Sequence, residues 1–270
     1  MRIRDVQLHV QSEGEGTPLL WSHGLMSSIA TDHAVGDIWR QAPDGIRLVR
    51  YDARGHGRSG ASAAAADYAW PSLALDMLAL ADALVEPRVY PRPGVTAPNK
   101  VIAGGWSLAC VSAIHAAVLA PERFKGLILM LPPRIWEARA AQSRLYRIAA
   151  RLGPALAKAS GGIVLPDWLA EAEPERVRLA AAGAAGIAQA TLSLLFQGAA
   201  MSDLPPREQL ARLAGVPALV IGWEGDPTHP VDSARALHRL LPGSALHIAS
   251  NLAQWAEIPG RIRAFAAGCA

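Results

Sequence analysis

The stretch VIAGGWSLACVSAIHAA, residues 101–117, constrains this chain more than any other. A short apolar run ends in two glycines, a serine follows, and a helix of small residues begins at once. That order reads as strand, tight turn and helix, with the Ser107 side chain pushed out of the sheet toward a reactant. Small neighbours, Gly105 and Ala109, let the backbone reverse without a clash. Ser107 is therefore the leading candidate for covalent chemistry.

The rest of the chain supplies a sheet for such a turn. Residues 2–11 alternate in a strand-like way, SEGEG (12–16) is a turn, and TPLLWSHG enters a second strand. A helix is expected over 28–41, a buried strand at 46–52, a glycine-rich loop at 54–60 and a helix at 71–86 with Pro71 in its first turn. The connection 87–100 is proline-rich and irregular. Further strands are expected at 100–104, 125–131, 216–223 and 244–250, and helices at 231–241 and 256–267. Strands alternating with helices indicate an α/β protein with a mostly parallel central sheet and helices on both faces. Between Pro133 and Leu204 the alternation stops. That segment is rich in Ala, Leu and Arg, with helical patterning broken at Gly153-Pro154, Gly161-Gly162 and Pro174. It reads as a helical cap (134–204) inserted into a core formed by 1–133 and 205–270.

Composition narrows the function classes. At 51% hydrophobic and 18% charged residues the chain is globular rather than disordered. Its net charge is only +3 and its basic residues are scattered, which argues against nucleic-acid binding. No stretch approaches the ~18 consecutive apolar residues of a membrane span, and the first residues lack a signal-peptide core. Two cysteines, Cys110 and Cys269, are too few for a disulfide framework and point to a reducing, cytoplasmic setting. Cys110, three residues after Ser107, reads as a buried thiol. No Cys/His cluster has metal-ligand spacing, and the glycine-rich loop is not a phosphate-binding signature. The expectation is a protein that acts on a small molecule without metal or other cofactor, with no membrane or nucleic-acid partner, as a monomer or homodimer.

Several further motifs accompany the turn. WSHGLM (21–26), YDARGHGRSG (51–60), GWSLA (105–109) and GWEGDPTHP (222–230) resemble, in that order, motifs of the α/β-hydrolase superfamily. Ala109 stands where the last glycine of G-x-S-x-G is usual, a mild departure. The resemblance implies the α/β-hydrolase fold, with Ser107 as nucleophile and Asp226 as the acid that orients a histidine. It also implies an oxyanion hole formed by the backbone N–H groups of Leu25 and Leu108. His23 would brace its loop, and Asp52, Arg54, His56 and Ser59 would belong to a structural loop. GWSLA also looks like the elbow of carboxylesterases that release methyl esters from carrier-bound acyl chains.

The base departs from the pattern. Superfamily members carry it after the last strand, five residues before an acidic residue and seven before a proline. Glu257 and Pro259 then put Leu252 in the histidine slot, and no histidine follows His247. Leucine cannot accept a proton, and a serine hydroxyl without a base is a poor nucleophile at neutral pH. His229, three residues after Asp226, is the first choice for a relocated base, and His247 the second; otherwise the base is missing. His115 would lie along its own helix, and the cap contains no histidine.

Met26, Trp106, Trp136 and Leu252 are the expected pocket residues, with Tyr146, Trp168, Leu194, Leu195 and Phe196 as a further apolar lid. The primary expectation is a hydrolase of a small apolar ester, thioester or lactone. The rivals are a non-hydrolytic binding protein on the same fold, and a lyase or isomerase using the same pocket.

Overall fold

The computed structural model describes residues 1–34, 38–39, 41–85, 100–159 and 187–270, with the side chains of Ala34, residues 152–159 and Gln189 outside it. Trp168, Gly161-Gly162, Pro174 and residues 87–99 of the proline-rich connection lie outside the described residues. The chain opens with a short antiparallel pair, β1 (Arg2–Ile3) and β2 (Val6–Gln7). A seven-stranded sheet follows, built from β3 (Val10–Glu13), β4 (Thr17–Ser22), β5 (Ile46–Tyr51), β6 (Val101–Trp106), β7 (Phe124–Met130), β8 (Ala218–Trp223) and β9 (Ser244–Ala249). Its order is β3-β5-β4-β6-β7-β8-β9. Only the edge strand β3 runs antiparallel to its neighbour.

β4 and β8 are buried at every position. Such continuous apolar runs are what a parallel sheet covered on both faces demands. The strand period of two sorts their side chains between two cores. Leu20, Ala103, Leu127, Leu129 and Val220 face one core, with Leu73 and Met77 of α2 (Trp70–Val85). Ile114 of α3 (Leu108–Leu119) joins them there. Leu19, Ile102, Ile128, Met130 and Ile221 face the other, with Ile258 and Ile262 of the C-terminal helix (Leu252–Cys269). Each such Leu, Ile, Val or Met side chain contributes roughly 1.5–3 kcal/mol by leaving water.

From β4 the chain steps to β5 on one side and then to β6 on the other. Ligands bind in the crevice at such a switch point, beyond the carboxyl ends of the strands. The register Ser22↔Gly105 brings the His23-Gly24 loop and the Ser107 turn together at that place.

Four elements differ from the sequence expectation. α1 is the short helix Ile29–Ala34; of the longer stretch expected, residues 35–37 and 40 lie outside the described residues. The strand expected over 2–11 is split into the β1–β2 pair and β3, and β3 continues to Glu13, into the segment expected to turn. α4 (Arg139–Ala159) runs through Gly153-Pro154 instead of breaking there, and α5 (Gln189–Ala200) packs against it. α6 (Val231–Leu240) falls as expected, whereas α7, the helix Leu252–Cys269, begins earlier than expected and continues past Pro259. The cause of the early start is Asn251, whose side chain accepts the Gln254 N–H at 3.0 Å and caps the helix. Among the described residues, no helix is long and apolar enough to cross a membrane.

Candidate active site

Ser107 closes the turn between β6 and α3 with φ 46° and ψ −97°, a conformation that costs a non-glycine residue about 1–3 kcal/mol. Gly105 makes the turn possible. Its φ is +145°, and a Cβ there would lie 2.0 Å from the Ser22 carbonyl oxygen and 2.6 Å from the Ala109 Cβ. The backbone is held by the Ser107 N–H, which donates to the Met130 carbonyl at 2.9 Å. The hydroxyl does not cap α3. It is engaged elsewhere.

His229 Nε2 lies 2.9 Å from Ser107 Oγ, and His229 Nδ1 lies 2.9 Å from Asp226 Oδ2. A carboxylate accepts only, so Nδ1 carries the proton and Nε2 is left to accept from the serine. The other carboxylate oxygen, Oδ1, accepts the backbone N–H groups of Thr228 (2.8 Å) and His229 (2.9 Å). Burial pushes the Asp226 carboxyl up. The hydrogen bonds from the His229 ring and the two backbone N–H groups outweigh that effect and hold it below the ordinary carboxylate value. Acid and imidazole thus sit on one short loop between β8 and α6, opened by Gly225 at φ +83°.

Four other histidines are engaged elsewhere. His23 donates from Nδ1 to the Gly24 carbonyl at 2.8 Å and accepts the Ala53 N–H on Nε2 at 3.1 Å, so it braces its loop in neutral form. His115 Nε2 meets the Asp203 carbonyl at 2.8 Å, and His247 Nε2 lies 3.5 Å from the Gln254 carbonyl. His56 is fully buried, with Nδ1 on the Arg54 carbonyl. Burial, then the neighbouring His23, push its pKa down to about 3, and burial also lowers that of His23. The Cys110 thiol is pushed up by complete burial, which makes it inert.

The two buried histidines give a pH dependence with a definite sign. Both bind a proton near pH 6.5 when unfolded but resist it when folded. Between about 3 and 6.5 the unfolded chain binds more protons, so stability falls as pH falls through that window. The upper limit is about 1.4 kcal/mol per pH unit for each histidine. Urea midpoints at pH 7, 5.5 and 4.5 should drop less steeply for His56→Gln than for the native chain. Equal slopes would show that His56 does not contribute.

The expected pocket residues separate. Gly24 abuts the elbow: a Cβ there would lie 3.7 Å from the Ser107 Cβ. Beyond it Met26, at φ 65°, and Leu25 pack, as Tyr146 does, against a cluster of Ala150 of α4 and Leu192 and Phe196 of α5. The Tyr146 and Phe196 rings lie 6.0 Å apart. The other three lie elsewhere. Trp106 packs toward the α7 side, 6.1 Å from Trp255, which in turn meets Trp223 at 5.4 Å. Trp136 is committed to bracing: its N–H meets Asp203, its ring N–H meets the Pro205 carbonyl, and Arg207 covers its face at 4.3 Å. Leu252 is 52% exposed at the start of α7. Because Asn251 caps that helix, the usual histidine slot has become helix rather than loop.

A model of the alpha/beta hydrolase family matches residues 19–259, and the chain belongs to that family. The structure resembles the enol-lactonase from Burkholderia xenovorans LB400, with a TM-score of 0.74, 21% identity and 97% of each chain covered. It also resembles a thermophilic esterase from Thermogutta terrifontis, with a TM-score of 0.76 and 20% identity, covering 98% of this chain and 94% of the other. A protein of Caballeronia sordidicola named epoxide hydrolase is 29% identical over 133 residues, 47% of this chain. That match spans only 35% of the relative's own length.

Proposed function

We propose that the protein is a serine hydrolase of small apolar carboxylic esters, thioesters or lactones, with His229 as a base relocated into the acid loop. The observation that carries this reading is the unbroken run of hydrogen bonds from Ser107 Oγ through His229 to Asp226, each 2.9 Å. Ser107 Oγ attacks the carbonyl carbon and its proton passes to His229 Nε2, while the carbonyl π pair moves to oxygen. Asp226 keeps the imidazole in the accepting tautomer and stabilises the imidazolium. Leu108 opens α3, so its N–H has no partner within the helix and is free to meet the oxyanion. The Leu25 N–H, on the loop beside Ser107, is the second donor; losing one such donor costs about 3 kcal/mol. Collapse of the intermediate expels the alkoxide or thiolate, which takes the proton from His229. Water then attacks the acyl-enzyme with His229 as base, releasing the acid and restoring the serine.

The apolar cluster of Leu25, Met26, Tyr146, Leu192 and Phe196 supports an apolar substrate. The reaction itself supports a carbonyl substrate over an epoxide. A serine that opened an epoxide would form an alkyl ether, with no carbonyl for water to attack, and turnover would stop. Leucine in the histidine slot favours the alternatives without hydrolysis, whereas the His229 contact to Ser107 supports the hydrolytic reading.

A fluorophosphonate probe should label the purified protein, and Ser107→Ala should abolish labelling along with activity on an ester panel. Labelling that survives Ser107→Ala would sink the nucleophile assignment. Leu252→His should bring no gain on the same panel, since Ser107 already holds a base.

A further inference from the structure

The acid loop satisfies its own N–H groups through Asp226, but its carbonyls are held from outside. Gln142 Nε2 donates to the Thr228 carbonyl at 3.3 Å, and Arg134 Nη2 donates to the Pro227 carbonyl at 2.9 Å. Both come from the segment that leaves β7 and enters α4. Gln142 is 5% exposed, and its orientation is not free: Arg139 Nη1 donates to its Oε1 at 2.6 Å. An amide whose oxygen is taken this way must present its NH₂ group on the other side, toward Thr228.

Arg139 is itself fixed. It is 3% exposed, donates to the Ser202 carbonyl at 2.8 Å and to that of Ala199, and stacks 4.1 Å from the Trp70 ring. Those carbonyls lie at and just beyond the end of α5, where the helix dipole favours a cation. A chain of directional contacts, the last of them long at 3.3 Å, therefore runs from the end of α5 through Arg139 and Gln142 to the peptide immediately before His229.

We propose that Gln142, oriented by Arg139, is a positioning residue for His229, and that α4 thereby clamps the loop carrying both acid and base. The proposal rests on His229 being the base. It also gives a physical reason for the clamp: a histidine three residues from its acid shares one loop with it, and a single movement of that loop would carry both away from Ser107. An error of ~1 Å at a reacting group can cost about 100-fold in rate.

Gln142→Glu is the informative change, because it keeps an acceptor for Arg139 while replacing the donor facing Thr228 with a second acceptor. We expect the thermal midpoint to stay near that of the native chain, fluorophosphonate labelling to slow by about 10- to 100-fold, and kcat to fall with KM little changed. The His229 Nδ1 proton signal in ¹H NMR should shift or broaden. Arg134→Ala, at a solvent-facing contact, should show the same effects more weakly and gives a second route if Gln142→Glu does not fold. Folded variants with native labelling rates and an unchanged His229 signal would overturn the proposal. If the native protein itself is not labelled, the nucleophile assignment fails, and the His229 signal still decides whether the clamp exists.

Discussion

His229→Ala should lower kcat on any ester the protein turns over by about 10⁴- to 10⁶-fold, with the fold retained. The magnitude follows from its position. Its Nε2 is 2.9 Å from Ser107 Oγ, while the nearest rival by sequence, His247, is occupied at the Gln254 carbonyl. What remains after its removal is the oxyanion hole and substrate binding, which alone leave about 10³–10⁴ over the uncatalysed reaction. Asp226→Asn should cost about 10⁴, because the amide favours the wrong imidazole tautomer. It also weakens the acceptor on which the Thr228 and His229 N–H groups converge. Steady-state kinetics with a chromogenic ester, alongside a circular dichroism spectrum, decide the matter. Activity within tenfold of native in a folded His229→Ala protein would show that proton transfer runs elsewhere.

Asp76→Ala should be the most damaging change away from the site, costing about 3–5 kcal/mol in stability. Arg54 is 1% exposed, and its Nε and Nη2 donate to the two oxygens of Asp76 at 2.9 Å each. The remaining guanidinium contacts go to Asp5 and Ser62. Removing Asp76 leaves the buried cation with the solvent-facing Asp5 as its one carboxylate partner, and Arg4, which donates to the Asp76 carboxylate at 2.8 Å, keeps the Ser72 carbonyl alone. Asp5→Ala acts at the solvent-facing end and should cost clearly less. Urea denaturation of both variants tests the ordering, and equal midpoints would contradict it. The effect also reaches the site, since the same loop supplies the Ala53 N–H that holds His23 in place.

Much of this was legible in the residues. The sharp turn at Ser107, the bracing contacts of His23 and the burial of Cys110 all depend on local pattern, and local pattern is what short-range sterics and hydrophobic periodicity encode. The pocket was less legible. Met26 packs beside α4 and α5, whereas Trp106, Trp136 and Leu252 lie elsewhere, because an aromatic or leucine side chain at an element's end can turn to either face. Gln142, Arg139 and Arg134 carried no signal at all. Their partners are backbone carbonyls in distant segments, and a carbonyl has no sequence identity.

Sequence alone determined the alternation of strands and helices and the sharp turn at Ser107, since each is settled by neighbours within a few positions. Whether His229 reaches the serine was decided only by tertiary structure. The two residues are separated by 122 positions, and their 2.9 Å contact depends on how β6 and β8 flank β7 and on which way the acid loop is held. An imidazole turned away by one loop adjustment would have left the same sequence without a base.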